Sequence, residues 1–418
     1  MNLTVSRRTF LGTSLAIPAF AYAPILRAAQ SDLSQLSDMT GSAKPITSAE
    51  RIERIVRAQA LMEANDISAV VIEPGASLTY FTGIEWGRSE RVTGAVLPRE
   101  GEPLIVTPFF EEPSVRETLD VPAELRVWQE DESPLTLIAD WLRERQLASG
   151  QLGIEETARY FVADGLAARL PQMRTVSADP VVRTLRMHKS TSEIALMQIA
   201  TDVTMAAYRW IWPRVEAGMT GPQVSALMNA ATRALGGTPQ FSLALVGEAS
   251  AYPHGSRKVH TIADGEVLLM DCGCAVHGYE SDVSRTFSYG SIRSEVARVW
   301  ETVARGQRIV FEEAQIGTPA GRVDDAVRAF YESKGYGPGY ALPGLPHRTG
   351  HGIGMDGHEP INFVRGEETP LAPGMCFSDE PGIYLPGQFG VRLEDCIYIT
   401  ESGPNWFSEP AASIENPI

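Results

Sequence analysis

The chain has 418 residues, 44% of them hydrophobic and 21% charged, and its 36 basic and 52 acidic side chains leave a net charge of −16. At about 150 residues per domain, that length sets a prior of two or three domains, each able to bury a core. The acidic balance argues against a nucleic-acid partner, four cysteines are too few for a disulfide framework, and no apolar run of ~20 residues outside the extreme N-terminus rules out an integral membrane protein.

In chain order, Ser6-Arg7-Arg8-Thr9-Phe10-Leu11 precedes an apolar stretch from Leu11 to Ala23. Paired arginines before a modest apolar region resemble a bacterial twin-arginine export signal. Residues 1–29 are therefore expected to be that signal, with the mature protein in the periplasm. Residues 30–46 read as a polar leader without periodic pattern.

Thr47-Ser48-Ala49-Glu50 has capping-box spacing and opens a helix with Ile52, Ile55, Val56 and Met62 on one side. A strand from Ala69 to Ile72 and the turn Pro74-Gly75 follow. Tyr80-Phe81-Thr82-Gly83 reads as a turn between buried elements. A hairpin with arms Val92–Leu97 and Pro103–Val106 is expected across Arg99-Glu100-Gly101. Helices over 134–148 and 157–169 alternate with strands at 125–128, 152–155 and 174–177, which predicts an α/β domain over 47–185.

The remainder, 186–418, starts at Ser190-Thr191-Ser192-Glu193, a second capping box opening a helix to about Val215. It then repeats itself weakly. Glu216-Ala217-Gly218-Met219-Thr220 and Gln315-Ile316-Gly317-Thr318-Pro319 each lead into a helix, a glycine-rich connection and strands.

Each repeat ends in a pair of acids. Asp271 and Asp282 flank a turn near His277-Gly278, with midpoint 276.5, so they are expected as cross-strand neighbours. Glu380 and Glu394 flank Pro386-Gly387 in the same way. Adjacent carboxylates on buried strands repel unless a cation or proton lies between them, and hard divalent cations prefer oxygen ligands. The run from His347 to Glu359 holds His347, His351 and His358 among four glycines, and glycine lets backbone pass close to a site. His254 sits in a similar tight segment. Cys272, Cys274, Cys376 and Cys396 lie in or beside these strands and read as small apolar residues.

At these residues the chain resembles the pita-bread metallopeptidases, in their prolidase and aminopeptidase P branch. Asp271, Asp282, His351, Glu380 and Glu394 match that branch's metal-ligand motifs in order. The likeness covers about 190–410 specifically; 50–185 resembles the creatinase-like N-terminal domain more loosely, with Tyr80 to Gly83 as anchor. Gly357 departs from the pattern, where the branch usually carries Ile or Val.

The resemblance implies an α+β fold with a pseudo-twofold pita-bread domain behind a smaller α/β domain. It implies two divalent ions about 3.5 Å apart, often manganese, with zinc and cobalt as alternatives. A bridging water would attack the scissile carbonyl of an Xaa-Pro bond while Glu380 carries the proton. His358 and His254 would donate to the carbonyl oxygen and substrate, and His347 would line the proline side. Arg392 would orient Glu394, with Tyr384 nearby. The expected partners are short proline-containing peptides and a second copy of the chain, with neither nucleic acid nor, after signal removal, membrane. The competing readings are a metal-dependent creatinase-like hydrolase of a small cyclic amide or amidine, and a non-catalytic pita-bread binding protein.

Overall fold

The computed structural model describes residues 32–418, so the paired arginines and the apolar stretch after them lie outside the described residues. Helix α1 (Ser48–Ala64) opens with the expected reciprocal cap: the Thr47 hydroxyl accepts from Glu50 N, and the Glu50 carboxylate accepts from Thr47 N at 2.8 Å. Ile52 and Val56, predicted on its apolar side, are exposed. The inward stripe runs through Arg54, Ile55, Ala58 and Met62 instead. Arg54 can occupy it because its guanidinium is satisfied inside, by Tyr80 O, the Tyr279 hydroxyl and Glu193.

A six-stranded sheet follows, built from β1 (Ile67–Ile72), β2 (Gly94–Pro98), β3 (Leu104–Pro108), β4 (Glu124–Trp128), β5 (Gly150–Ile154) and β6 (Met173–Ser177) in the order β4-β3-β2-β1-β5-β6. β2 and β3 form the predicted hairpin, and β1, β5 and β6 run parallel. Helices α2 (Ala76–Thr82), α3 (Glu112–Thr118), α4 (Pro134–Glu144), α5 (Tyr160–Arg169) and α6 (Val182–Met187) complete the unit, with an apolar cluster on each face of the sheet. Tyr80-Phe81-Thr82 is the end of α2 rather than a turn, and Gly83 caps it at φ +80°. A helix of two turns presents too few apolar positions for periodicity to reveal it.

The second unit follows one plan twice. Its first half runs α7 (Thr191–Ile211), α8 (Gly221–Ala234), β7 (Thr238–Val246), β8 (Val267–Val276), β9 (Tyr279–Glu280) and β10 (Val283–Ser288). Its second half begins with α9 (Ser294–Glu313), α10 (Ala320–Ser333), β11 (Gly350–Gly352) and β12 (Glu359–Phe363). The chain ends through β13 (Cys376–Asp379), β14 (Gly382–Leu385), β15 (Phe389–Arg392), β16 (Asp395–Thr400) and β17 (Gly403–Trp406). The repeat noted at the starts of α8 and α10 is physical. Gly218 N donates to Ile262 O and Gly317 N to Leu371 O, both at 2.8 Å and both from a left-handed glycine.

Each half has its own core, and main chain joins them: Ser284 N donates to Glu394 O (3.2 Å) and Glu394 N to Ser284 O (3.0 Å). Beside this seam the fully buried Arg285 and Asp395 pair at 2.7 Å. The four cysteines are free and buried, with Cys272 and Cys396 in the first half's core as alternation predicts. The segment read as a leader docks on that half where it is described. Met39 N donates to Leu235 O, Ile46 is buried in the core, and Leu33, Leu36 and Ala43 pack against it. Among the described residues no helix is long and apolar enough to cross a membrane.

Candidate metal centre

The two hairpins place their acids differently. His277 and Gly278 both adopt left-handed conformations, φ +48° and +81°, giving a two-residue turn between Val276 and Tyr279. That turn shifts the expected register. Asp271 faces Ser284, and the pairs Ala275↔Glu280 and Val283↔Cys272 put Asp282 across from Gly273. The expected direct pairing of Asp271 with Asp282 is thus corrected to a diagonal one, which keeps both on one face because strand side chains alternate with period two. In the second half, Asp379↔Asp395 and Gly382↔Arg392 place Glu380 across from Glu394, centred on Gly387 as predicted.

Asp282, His351 and Glu394 converge, each offering a ligand atom within 4.8 Å of the others, and all three are buried. His351 Nε2 lies 3.7 Å from Asp282 Oδ2 and 3.5 Å from Glu380 Oε1. Its Nδ1 is 3.0 Å from Gly352 O, a contact that puts the ring proton there and leaves the Nε2 lone pair facing the carboxylates. Burial holds His351 down at about 3, so the ring is neutral at neutral pH. Asp282 and Glu394 are driven far above the carboxylate range by burial and by the neighbouring carboxylates.

Asp271 Oδ1, Asp282 Oδ1 and Glu394 Oε1 are buried without a hydrogen-bond partner. Three orphaned carboxylate oxygens around an imidazole lone pair form a hard-donor set that a divalent cation satisfies. The residues present fit the metal that the sequence implied. Asp379, also unpartnered, lies across from Asp395, and burial, then Asp395, pushes its pKa well above the carboxylate range.

Arg392 does not grip Glu394 directly. Its Nη2 donates to Asp271 Oδ2 at 2.6 Å, and its Nε donates to the Ser284 hydroxyl, which donates to Glu394 Oε2 at 2.7 Å. Ser284 is thus a relay that the sequence reading missed. The available signal was its place two residues after Asp282, hence on the same face. Arg392 Nη1 also donates to the Tyr384 hydroxyl, which lies 2.9 Å from His347 Nε2. His347 Nδ1 is 2.7 Å from Arg348 O and 4.0 Å from Glu380, and burial holds the ring at about 3. From α10, the buried ion pair Asp324–Arg328 fixes this segment. Arg328 donates to Leu345 O, and Asp324 accepts from Thr349 Oγ1, both at 2.7 Å.

Two clefts flank the centre. One, of about 490 Å³, is lined by His254, Ser242 and Leu243; Pro253 O, next to His254, accepts from Arg392. The other, of about 410 Å³, is lined by His358, Arg348 and Asn362. The rings of His358 and His351 stand 4.1 Å apart, and burial, then Arg348, lowers His358 below its ordinary range. At Gly357 a Cβ would meet Glu280 Oε2 at 3.0 Å, so the Ile or Val usual there would crowd Glu280.

Residues 195–401 match metallopeptidase family M24, and residues 54–188 match the creatinase/prolidase N-terminal domain. A Mycobacterium tuberculosis protein named probable dipeptidase PepE is 33% identical over 359 residues, spanning 84% of this chain and 92% of its own length. The Xaa-Pro dipeptidase of Lactobacillus helveticus is 29% identical over 84% of this chain and 95% of its own. The crystal structure of dipeptidase PepE from Mycobacterium ulcerans superimposes with a TM-score of 0.81 at 30% identity, covering 89% of this chain and 99% of that one.

Proposed function

Since the chain belongs to metallopeptidase family M24, divalent-metal enzymes that hydrolyse peptides, we propose that it cleaves Xaa-Pro bonds in short peptides, dipeptides above all. The observation that carries this reading is the set of orphaned oxygens on Asp271, Asp282 and Glu394 around His351. With Glu380, these residues would hold two divalent ions, which we take to be manganese. Bound there, such ions polarise a carbonyl and acidify water.

The chain's own groups supply the rest. Asp271 and Glu380 are 19% and 14% exposed, against 7% for Asp282 and 2% for His351, but Arg392 holds Asp271 at 2.6 Å, which leaves Glu380 to pass a proton from water to the leaving nitrogen. His358 and His254, on the two clefts, donate to the carbonyl oxygen as charge develops on it. An Xaa-Pro amide has no N–H to recognise, so His347, held against Tyr384 with ring centroids 5.5 Å apart, contributes a wall that selects by shape.

Turnover of Gly-Pro and Gly-Pro-Pro tests this reading. Gly-Pro should be hydrolysed, should cease to be after chelation, and should be restored by added manganese. Turnover of Gly-Pro-Pro alone would make the enzyme an aminopeptidase, and activity in metal-free protein would end the metal reading. We also propose twin-arginine export to the periplasm, which the Arg7-Arg8 motif supports. Changing both arginines to lysine should trap precursor in the cytoplasm, and normal export of that variant would refute it.

A further inference from the structure

Glu359 follows His358 directly, yet its side chain turns away into a buried ionic cluster. Its carboxylate accepts from Lys189 Nζ at 2.8 Å and Arg186 Nη2 at 2.6 Å, with the Lys189 and Glu359 side chains 2% and 3% exposed. It also accepts from Met355 N (2.9 Å) and Asp356 N (3.3 Å), two amides of the loop that leads to His358. Burial alone would raise its pKa, but Lys189 and Arg186 outweigh that and hold it at about 2. Packing around the cluster is close: a Cβ on Gly354 would lie 2.7 Å from Lys189 Cε and 2.8 Å from both Glu359 oxygens. The cations come from outside the loop. Arg186 belongs to α6 of the first unit, where its Nη1 donates to Ser77 Oγ, and it also pairs with Asp356 at 2.7 Å. Lys189 lies on the connection into α7 and donates its N–H to Gly374 O.

A buried carboxylate that pairs with two cations and accepts from two amides fixes the backbone on either side of it, because moving it leaves a buried charge or donor unpaired in low dielectric. We propose that Glu359, with Lys189 and Arg186, is a positioning cluster that sets His358 over His351, and that through Arg186 the N-terminal unit takes part in the chemical step. The proposal rests on the reading of His358 as a donor to the reacting carbonyl. It assigns Glu359 no contact with substrate or metal. Its effect is to hold the loop from Gly354 to His358 at one height, where displacement by about 1 Å can cost about 100-fold in rate.

A double-mutant cycle on the manganese-loaded protein with Ala-Pro separates this role from a merely structural one. Glu359→Gln should lower kcat by about 10- to 100-fold, with KM within about threefold and metal content unchanged. In a His358→Ala background the same change should cost less than about twofold, since the group being positioned is gone. Arg186→Met, which keeps the Lys189–Glu359 pair, runs the same cycle should Glu359→Gln fold poorly, and Arg186→Lys should restore most of the lost rate. Equal losses in both backgrounds, or metal loss in step with kcat, would overturn the proposal. Should the wild type prove inactive on Xaa-Pro peptides, the functional reading fails but this one is still tested. The imidazole NMR signals of His358 in zinc-loaded protein should shift in Glu359→Gln while those of His188 and His277 stay, and an unmoved His358 would refute it.

Discussion

The two acid-bearing hairpins of the second unit solve one problem with different registers. Glu380 and Glu394 stand directly opposite each other about Gly387, at the break between β13–β16 and β14–β15, and the same register holds on both sides of it. Asp271 and Asp282 are offset by two residues because the turn at His277-Gly278 is centred one residue beyond the expected midpoint of 276.5. What the halves share is therefore a face rather than a register. Strand alternation tolerates a two-residue offset without moving a carboxylate off the centre, whereas a one-residue slip would turn it into the core. The offset opens a place directly across from Asp271, and Ser284 fills it as the relay between Arg392 and Glu394.

Replacing one acid from each half gives the largest expected effect. Asp282→Ala and Glu394→Ala should each reduce kcat by about 10³-fold or more and lose bound metal, because both feed orphaned oxygens to the same site. Metal analysis beside steady-state kinetics checks this, and an active Asp282→Ala enzyme with full metal would break the symmetry between the hairpins. Ser284→Ala comes next. It removes the relay that only the first hairpin has, and should cost about 10- to 100-fold in metal affinity or rate, as loss of an outer partner of a ligand does; competition with a metal indicator measures it.

The turns and strand glycines give the smallest and most local contrast. A Cβ at Gly273 would sit 2.2 Å from Ser281 O, so Gly273→Ala should force the β8–β9 pairing apart and cost several degrees in Tm. Gly387 meets nothing within 4 Å and is strained only by φ +74°, so alanine there should cost about 1–2 kcal/mol. Equal losses in the two variants would mean that the register difference carries no energetic weight.

What the sequence disclosed follows from the range of the forces involved. Both capping boxes, the hairpin across Arg99-Glu100-Gly101 and the symmetric placement of Glu380 and Glu394 were legible because local hydrogen bonds and alternation dictate them. The first hairpin's register was not, since it depends on His277 taking a conformation unusual for a non-glycine residue. Ile52 and Val56 went to solvent because Arg54 found three partners from distant segments, which no periodicity contains. The same holds for Arg392, whose partner Asp271 is 121 positions away. Of the site residues, the ones that bind through shape and charge were named by type and spacing. Of the ones that hold them, Ser284 was marked only by its place two residues after Asp282, and Asp324, Arg328 and Glu359 were invisible until the chain was folded.

The seam at Ser284 and Glu394 has a mechanical consequence. A residue from each half gives up its main-chain N–H to the other, and Glu394 also presents its side chain to the centre. Nothing can then pry the halves apart without distorting the ligand set, so the second unit is a clasp rather than a hinge. The clefts beside His254 and His358, not a gap between the halves, are then the doors for traffic.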